Sequence, residues 1–299
     1  MFDAFVTLDC NGRGLALDRP RVMGIVNVTP DSFSDGGQHA STEAAIAHGL
    51  ALAEEGADIL DVGGESTRPG SQPVTVEDEL ARVLPVIEGL RARCDLPISV
   101  DTSKPEVMRA AVAAGAGMIN DVWALRREGA IEAASELAVP VCLMHMQGEP
   151  ATMQDDPRYD DVVAEVHGFF NQRLFACQMA GIDRKRLLVD PGFGFGKTLE
   201  HNLQLLRQLS RLVELGVPVL AGLSRKGMIG QVTGRALEQR EVGSAVAALI
   251  AVQNGAMLVR AHDVGATVDA LKLWAAVSAQ PAPARKPAAP AMPRWPDDD

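Results

Sequence analysis

Eight short apolar segments, distributed along most of the chain, are the feature that most restricts its fold. They are rich in Val, Ile and Leu and do not alternate with polar residues. This is typical of parallel strands that are buried on both faces of a sheet. The predicted strands are residues 22–28, 59–63, 98–102, 118–122, 141–145, 187–192, 219–224 and 257–264.

Helical segments separate these strands. Thr75 and Asp78 have the spacing of a capping box at the start of one helix, and Pro105 fits the first turn of another. Leucines recur at helical intervals in residues 201–216, which predicts a single helix ending at Gly216. Eight alternations of strand and helix favour an α/β fold, the (β/α)8 TIM barrel. Two doubly wound domains are the alternative, but no linker-like change of composition divides the chain.

The two ends of the chain depart from this repeating pattern. Asn11-Gly12 lies between two alternating segments and predicts a β-hairpin over residues 4–17. Residues 280–299 are rich in proline and alanine and end in three aspartates. That composition predicts a disordered tail. We therefore expect a single barrel domain over residues 1–279, followed by the tail.

The composition argues against several classes of partner. The 299 residues carry a formal net charge of −11, which disfavours binding to nucleic acid or to an anionic membrane. The four cysteines form no C-x-x-C pair, and no apolar run has the length of a membrane span. The first residues lack the apolar core of a signal peptide. We expect a cytoplasmic protein with free thiols, in which a local positive cluster binds any anionic substrate.

The stretch VDPGFGFGKT, residues 189–198, is only superficially a phosphate-binding loop. Gly196, Lys197 and Thr198 match the end of the pattern G-x-x-x-x-G-K-[ST], but Pro191 stands where its first glycine belongs. Proline has no N–H to offer a phosphate. The pattern also has meaning only in the right structural context, so a different kind of binding loop is indicated.

Polar residues stand at the end of every predicted strand, where barrels of this type carry their sites. Each has a structural alternative: Asp101 could cap a helix, His145 could be a core histidine, and Arg225 a surface charge. Asp61, inside its strand, could hold neighbouring backbone. The set as a whole exceeds what capping requires. Its members are Asn27, Glu65, Ser66, Thr67, Arg68, Asp101, Asn120, Met144, His145, Asp190, Ser224, Arg225, Lys226, Arg260 and His262.

The chemistry of this set suits a flat heterocycle and a phosphate. A carboxylate such as that of Asp190 can pair in bidentate fashion with a guanidine-like N–C–NH₂ edge. Arg260 and His262 are two residues apart, on one face of a strand, and would attract a phosphate. Asn27 could ligate Mg²⁺ through its amide oxygen, because that ion prefers oxygen ligands. The sequence contains no cluster of His and Cys of the kind that would indicate a zinc site.

Eight motifs recur between about residue 20 and residue 277. They are GIVNVTPDSFSDGG (24–37), DVGGESTRPG (61–70), VDTSKPEV (100–107), MINDV (118–122), CLMHMQG (142–148), DPGFGFGK (190–197), GLSRKGMIG (222–230) and RAHDV (260–264). In these motifs and their order the chain resembles the dihydropteroate synthases, and the combination of ESTRPG with SRK separates it from pterin-binding methyltransferases on the same barrel. The resemblance implies a transferase of folate biosynthesis. It would join 4-aminobenzoate to 6-hydroxymethyl-7,8-dihydropterin diphosphate, giving 7,8-dihydropteroate and pyrophosphate.

The resemblance also implies roles for individual residues. The implied pterin contacts are Asp101, Asn120, Met144, Asp190, Gly194, Phe195 and Lys226. The implied diphosphate ligands are Asn27, Thr67, Arg68, Arg260 and His262, with Mg²⁺ held on Asn27. The implied aminobenzoate contacts are Phe33, Thr67, Pro69, Ser224 and Lys226. The implied catalytic groups are Asp101, Lys226 and Arg68, with Asp101 stabilising a pterin cation as pyrophosphate departs.

Two other functions remain open at the level of sequence. A corrinoid-linked methyltetrahydrofolate methyltransferase would use the pterin residues but does not need Arg68, Lys226 and Arg260 together. A non-catalytic pterin-binding paralogue would need neither the diphosphate motif nor the aminobenzoate motif. The family resemblance further implies a homodimer. It also implies that sulfonamides, which mimic aminobenzoate in this family, target its site.

Overall fold

The computed structural model describes residues 6–28, 37–66, 71–149 and 152–279. Several predictions lie outside these ranges and stay predictions. They concern the tail at 280–299 and four residues of the site. Those four residues are Phe33, Thr67, Arg68 and Pro69.

The strands confirm the predicted barrel. A two-stranded antiparallel sheet comes first, and the next eight strands form one parallel sheet. The strands are β1 (Thr7–Cys10), β2 (Arg13–Ala16), β3 (Arg21–Asn27), β4 (Ile59–Gly63), β5 (Ile98–Asp101), β6 (Met118–Asp121), β7 (Val141–Met144), β8 (Leu187–Asp190), β9 (Leu220–Gly222) and β10 (Leu258–Ala261). The parallel strands are ordered β8-β7-β6-β5-β4-β3-β10-β9. A parallel bridge between Val189 and Val219 joins the two edges of this sheet.

Helices follow the strands and surround the barrel. They are α1 (Gly37–Glu54), α2 (Val76–Arg93), α3 (Pro105–Ala113), α4 (Ala130–Leu137), α5 (Val162–Met179), α6 (Leu199–Arg207), α7 (Ser210–Val213), α8 (Gly227–Thr233), α9 (Glu241–Gln253) and α10 (Val264–Ser278). Thr75 caps α2 by accepting a hydrogen bond from the Asp78 amide, and Pro105 occupies the first turn of α3, as predicted. Among the residues that the structure describes, no helix has the length and apolar character needed to cross a bilayer.

The prediction of one helix over residues 201–216 is wrong. The structure has two helices, α6 and α7, which are interrupted at Gln208 and Leu209. Four leucines in this region are buried at intervals of three residues: Leu206, Leu209, Leu212 and Leu215. A straight α-helix has 3.6 residues per turn, so an exact three-residue spacing would rotate the last leucine away from the core. The backbone solves this with i→i+3 hydrogen bonds, such as Leu212 N–H to the Leu209 carbonyl at 2.9 Å, typical of a tighter helix.

The hairpin formed by β1 and β2 closes one end of the barrel. Its turn has Asn11 and Gly12 at φ of 56° and 80°, as a two-residue hairpin turn requires. The inward residues Leu8 and Leu15 are 1% and 3% exposed. They pack in one apolar cluster with the first inward residues of the barrel strands. Those strand residues are Met23, Ile59, Met118, Cys142, Leu188, Leu220 and Leu258.

At Gly117 the barrel and the hairpin are too close for any residue larger than glycine. A Cβ atom added at Gly117 would lie 2.2 Å from the carbonyl oxygen of Cys10. The Arg13 guanidinium also donates a hydrogen bond of 2.6 Å to the Leu96 carbonyl. The hairpin is therefore an integral base of the barrel, and the site must be sought at the opposite end.

All four cysteines are free, as expected, and Cys10, Cys142 and Cys177 are buried. Burial raises the pKa of the Cys10 thiol to about 12 and that of Cys177 to about 11. Thiols with such pKa values are protonated at neutral pH and do not act as nucleophiles.

Truncation of the hairpin's apolar contact should destabilise the whole barrel. We expect Leu15→Ala to lower the free energy of unfolding by about 2–5 kcal/mol, because it leaves a cavity between the hairpin and the strands. Val6→Ala is the control, since Val6 is 38% exposed and its truncation should change stability little. Urea denaturation measures both. Equal, small effects in the two variants would show that the hairpin only rests against the barrel.

Candidate active site

The interior of the barrel changes from apolar to polar along several strands. Alternate residues of a strand share one face, so Asn120 follows Met118 into the interior and Asp190 follows Leu188. Met118 and Leu188 belong to the apolar cluster that the hairpin covers. The next inward positions lie at the carboxyl ends of the strands, which we call the mouth of the barrel. The strand register places Asp101 beside Asn120 there.

An ion cluster joins three strands at the mouth. The Arg260 guanidinium donates through Nε to Asp61 Oδ2 at 2.6 Å and through Nη2 to Asp101 Oδ2 at 2.9 Å. Asn120 Nδ2 donates to the same Asp61 oxygen at 3.2 Å. The Asp61 side chain is fully buried, and its other oxygen has no partner within the described chain. When both carboxyl groups are ionised, two carboxylates and one guanidinium give this cluster a net negative charge.

For Asp61 the sequence suggested one structural alternative, that it holds neighbouring backbone, and this alternative is wrong. The structure shows that its carboxylate pairs with Arg260 across the barrel instead of holding local backbone. Its inward direction could have been inferred, because Asp61 has the same parity along β4 as the buried Ile59. The ion pair itself could not, because its two residues are 199 positions apart in the chain.

Burial favours the uncharged forms of the ionisable side chains at the mouth. Desolvation raises the pKa of Asp101 to about 7, with Arg260 opposing the shift and Asp61 adding to it. Desolvation also raises the pKa of Asp190, while the Gly192 amide and Lys226 act against that shift. The pKa of Lys226 falls to about 8 for the same reason. Asp101 and Lys226 can therefore change charge near neutral pH, as groups at catalytic sites commonly do.

The loop that follows β8 depends on its three glycines. Gly192, Gly194 and Gly196 have φ values of 65°, 80° and 60°, a region that other residues rarely adopt. A Cβ atom on Gly192 would lie 1.9 Å from the His145 carbonyl oxygen, and one on Gly196 would lie 2.3 Å from the Gln147 carbonyl oxygen. The alternating glycines therefore let two loops pack backbone against backbone.

Lys197 stabilises this loop from within, unlike the lysine of a nucleotide-binding loop. Its ammonium is buried and donates hydrogen bonds of 3.0 Å to the carbonyls of Gly192 and Phe195. It also lies 2.9 Å from Nδ1 of His145. Thr198, the last residue of the apparent motif, caps α6. The geometry thus rules against the nucleotide loop, as Pro191 indicated.

His145 is a core residue, which was the alternative suggested by the sequence. Its ring packs edge-on against Phe169 at 4.8 Å between centroids. Desolvation, reinforced by Lys197, lowers the pKa of His145 to about 2. The imidazole is therefore neutral and accepts a hydrogen bond from the Lys197 ammonium.

An apolar wall lines one side of the mouth. Met144 and Phe195 are buried at 4% and 7% exposure and pack together with Val122. The Lys226 ammonium lies 4.1 Å from the centre of the Phe195 ring, a cation–π contact. A Cβ atom on Gly194 would lie 3.4 Å from Cδ of Lys226. The wall therefore presents a sulfur, an aromatic ring and an ammonium side by side.

The last two strands bring Ser224 and His262 together. Ser224 Oγ accepts a hydrogen bond from the His262 amide at 3.1 Å and lies 3.0 Å from His262 Nδ1. Arg225 is not an isolated surface charge, because its Nε donates to Asp263 Oδ2 at 3.0 Å. Arg225 adopts a φ of 56°, and the ion pair with Asp263 holds this segment beside the mouth.

The structure places Asn27 at the carboxyl end of β3, where it pairs in register with Gly63. Its side chain is half-buried. Within the ranges that the structure covers, no group of three or more His, Cys, Asp or Glu residues could hold a metal ion. Any cation here would therefore depend on amide, substrate and water oxygens.

Gly192→Ala tests whether the loop needs close backbone contact and not merely a left-handed conformation. Gly216 is the matched control, since its φ is 70° and no atom lies within 4 Å of a Cβ there. We expect Gly216→Ala to cost about 1 kcal/mol through φ alone. Gly192→Ala should cost clearly more in urea denaturation, because its Cβ would collide with the His145 carbonyl. Equal costs would contradict the close-contact account.

Known proteins share both the sequence and the shape of this chain. The sequence profile of the family described as "Pterin binding enzyme" matches residues 23–262. The dihydropteroate synthase of Escherichia coli (strain K12) is 52% identical over 266 residues, which are 89% of this chain and 94% of that protein. These matches extend over the whole barrel.

Two solved structures of the Xanthomonas albilineans dihydropteroate synthase are similar to this chain. The structure with 4-aminobenzoic acid has a TM-score of 0.89 at 67% identity and covers 93% of this chain and 100% of that one. The complex with 7,8-dihydropteroate has a TM-score of 0.85 at 65% identity and covers 92% and 100%. Sequence and fold agree, and the chain belongs to the dihydropteroate synthase family of pterin-binding enzymes.

Proposed function

We propose that the mouth of this barrel joins 4-aminobenzoate to 6-hydroxymethyl-7,8-dihydropterin diphosphate, forming 7,8-dihydropteroate and releasing pyrophosphate. The observation that carries this function is the Asp61–Arg260–Asp101 cluster, which places two carboxyl groups and one guanidinium at the open end of the barrel. The Xanthomonas albilineans enzyme has been solved with 4-aminobenzoic acid and in complex with 7,8-dihydropteroate, which are a substrate and the product of this reaction.

The pterin ring fits the polar residues of the mouth and its apolar wall. Asp190 Oδ1 accepts the Gly192 amide at 2.7 Å, which fixes the carboxylate in one orientation toward the ring's N–C–NH₂ edge. Asn120, on β6, offers amide donor and acceptor atoms to the same ring. Met144 and Phe195 supply apolar surface for the face of the ring. This divides recognition between hydrogen bonds at the ring edge and packing on the ring face.

The reaction needs charge stabilisation more than a nucleophilic side chain. The bond between the pterin methylene carbon and the diphosphate oxygen breaks, and both electrons leave with pyrophosphate. The amine nitrogen of 4-aminobenzoate then donates its lone pair to that carbon and releases one proton. Asp101, as a carboxylate, stabilises positive charge on the pterin while this exchange occurs. The contact with Arg260 holds Asp101 in position before the reaction, so its carboxyl group need not reorient during the step.

The diphosphate fits the basic residues at the ends of the last two strands. Arg260 lies on β10 and His262 directly follows that strand. Arg68 and Thr67 are proposed to complete the site from the loop after β4. Mg²⁺ fits Asn27, because the ion prefers oxygen ligands and keeps several waters. When bound, the ion would offset negative charge on the departing pyrophosphate. Lys226 and Arg68 are proposed to stabilise the same charge.

The aminobenzoate is proposed to lie against Ser224, Lys226 and the loops that carry Phe33, Thr67 and Pro69. The Lys226 ammonium, held over the Phe195 ring, is a partner for its carboxylate. Sulfonamides resemble this substrate in shape and charge, and we propose that they compete for the same position. A methyltransferase would not need this second site.

Release of pyrophosphate from the purified chain tests the assignment. We expect rapid release only when pterin diphosphate, 4-aminobenzoate and Mg²⁺ are all present. Omission of the amine should abolish turnover, which separates this enzyme from a non-catalytic pterin-binding protein. Removal of Mg²⁺ with a chelator should slow turnover strongly, and added Mg²⁺ should restore it. Turnover that is unaffected by omitting the amine would contradict the assignment.

The pKa values of Asp101 and Lys226 predict a bell-shaped pH profile. The kcat/KM for pterin diphosphate should rise as Asp101 loses its proton near pH 7. It should fall as Lys226 loses its proton near pH 8, since this parameter reports groups of the free enzyme. Asp101→Asn should lower kcat by a factor on the order of 10² and remove the acidic limb. Asp95→Asn, at an exposed aspartate, is the control and should change neither kcat nor the acidic limb. An acidic limb that persists in Asp101→Asn would contradict the role of Asp101.

We propose that the chain forms a homodimer through α9 and α10. Ten large apolar residues of the described chain are exposed, and seven of them lie between Val232 and Val277. On α9 they recur every four residues, at Val242, Val246 and Ile250, which makes one apolar stripe. The adjacent α10 adds Leu273 and Val277. A surface patch of this kind typically marks a protein interface.

Sedimentation equilibrium tests the dimer. The wild-type chain should sediment at twice its mass of 31.7 kDa, and Val246→Asp should sediment as a monomer, because an unpaired carboxylate would be buried in the interface. Phe175→Asp is the control, since Phe175 is 65% exposed on α5, away from this stripe. A wild-type monomer would contradict the proposal.

A further inference from the structure

Arg225 has a strained backbone and stands between two residues of the proposed aminobenzoate position, Ser224 and Lys226. Its φ of 56° lies in the left-handed region, which a residue with a Cβ atom adopts only at a cost in free energy. Such a conformation persists where the surrounding structure holds it in place, and it is common at functional sites. The contacts around Arg225 therefore indicate which other residues the site depends on.

The start of α9 holds both backbone polar groups of Arg225. Ser244 Oγ accepts a hydrogen bond from the Arg225 amide at 2.9 Å and donates one to the Arg240 carbonyl at 2.6 Å. Arg240 Nη1 donates to the Arg225 carbonyl at 3.1 Å and lies 3.5 Å from the Lys226 carbonyl. Arg240 is the N-cap residue of α9, and Ser244 is buried. We call Arg240 and Ser244 the clamp.

The Arg240 guanidinium is itself held against α8. Its Nε donates to the Arg235 carbonyl at 3.2 Å, and a Cβ atom added at Gly230 would lie 2.3 Å from its Nη2. A guanidinium is planar and carries its N–H donors in a fixed fork, so one side chain can bind carbonyls on both sides of α8. Arg240 therefore ties the segment before α8 to the segment after it.

Lys226 extends from this clamped segment into the mouth, where its ammonium lies 4.1 Å from the centre of the Phe195 ring. Three charged groups act on it there: Asp190 of β8, Arg260 of β10 and Asp101 of β5. Desolvation lowers the pKa of Lys226 to about 8, Arg260 acts in the same direction, and the two carboxyl groups oppose the shift. The clamp binds the backbone of the segment, so its effect on the ammonium is one of position.

We infer that Arg240 is a positioning residue that, together with Ser244, directs the Lys226 ammonium onto the Phe195 ring. This inference deepens the proposed function and rests on it for the part that Lys226 takes in the reaction. Without the clamp, the backbone at Arg225 relaxes out of the left-handed region and Lys226 turns toward water. A lysine in water has a pKa of about 10.4, so loss of position is seen as a rise in the pKa of Lys226.

An NMR titration tests the inference without any need for turnover. The Cε resonance of each lysine, followed as the pH is raised, gives the pKa of that lysine, and Lys226→Met identifies the resonance of Lys226 by its loss. We expect a wild-type midpoint near pH 8 and a rise of about one pH unit or more in Arg240→Met. Lys197, whose pKa of about 7 is due to its own burial, should change much less.

Ser244→Ala tests the other half of the clamp without a change of charge. It removes the acceptor of the Arg225 amide, and an unpaired N–H disfavours the clamped backbone. The pKa of Lys226 should therefore rise in this variant as well, and the variant serves as the test if Arg240→Met fails to fold.

Arg235→Met is the matched control for the loss of an arginine. Arg235 lies in the same connection between α8 and α9, its side chain is exposed, and its contact with Arg240 is made by the backbone carbonyl. Its replacement removes the same charge but leaves the clamp in place. The pKa of Lys226 should stay at its wild-type value.

Two outcomes would overturn the inference. One is an unchanged pKa of Lys226 in a folded clamp variant. The other is an equal rise for Lys226 and Lys197, which would reveal general loosening of the site. Neither readout requires turnover, so failure of the proposed function is recognised separately, as absence of amine-dependent pyrophosphate release in the wild type. In an active enzyme, the basic limb of kcat/KM should move to higher pH in Arg240→Met together with the NMR midpoint.

Discussion

The site depends on one guanidinium held between two carboxylates. Arg260 belongs to β10, Asp61 to β4 and Asp101 to β5, so the cluster links strands on both sides of β3. Apolar side chains of similar size would often stabilise a buried position more than an ion cluster does. The cluster is therefore best explained by chemistry: it fixes a carboxylate at the mouth and leaves an excess of negative charge where a pterin cation would develop.

The positive charges of the site are used for different purposes in different places. Lys197 is buried and binds backbone carbonyls, so it shapes the loop after β8 and does not bind phosphate. Lys226 is desolvated against Phe195, which keeps its pKa near 8 and its charge dependent on pH. Lys104, at the start of α3, pairs with Glu65 and Glu79. The chain as a whole is acidic, so an anionic substrate depends on local cations, and of these three lysines only Lys226 is placed to meet one.

Local patterns predicted the barrel and most of the mouth. The strands are recognisable because burial on both faces requires continuous apolar residues, and their polar ends follow from the barrel's architecture. The sequence did not predict the break between α6 and α7. A three-residue leucine spacing is close to the helical period over one turn, and the leucines move off one helix face only over several turns. The partners of Asp61 and Lys104 could not be predicted, because such pairs join segments that only the closed barrel brings together. The motifs identified the family, whereas the ionic contacts could be found only in the structure.

The central claim is that the cluster sets the protonation of Asp101. Difference infrared spectroscopy between the wild type and Asp101→Asn can follow the carboxyl band of Asp101 as the pH changes. The account predicts a midpoint near pH 7 in the wild type. It also predicts a lower midpoint in an Asp61→Asn background, because a repelling carboxylate is removed from beside Asp101. A midpoint near that of an ordinary aspartate, about pH 4, or one that Asp61→Asn leaves unchanged would contradict it.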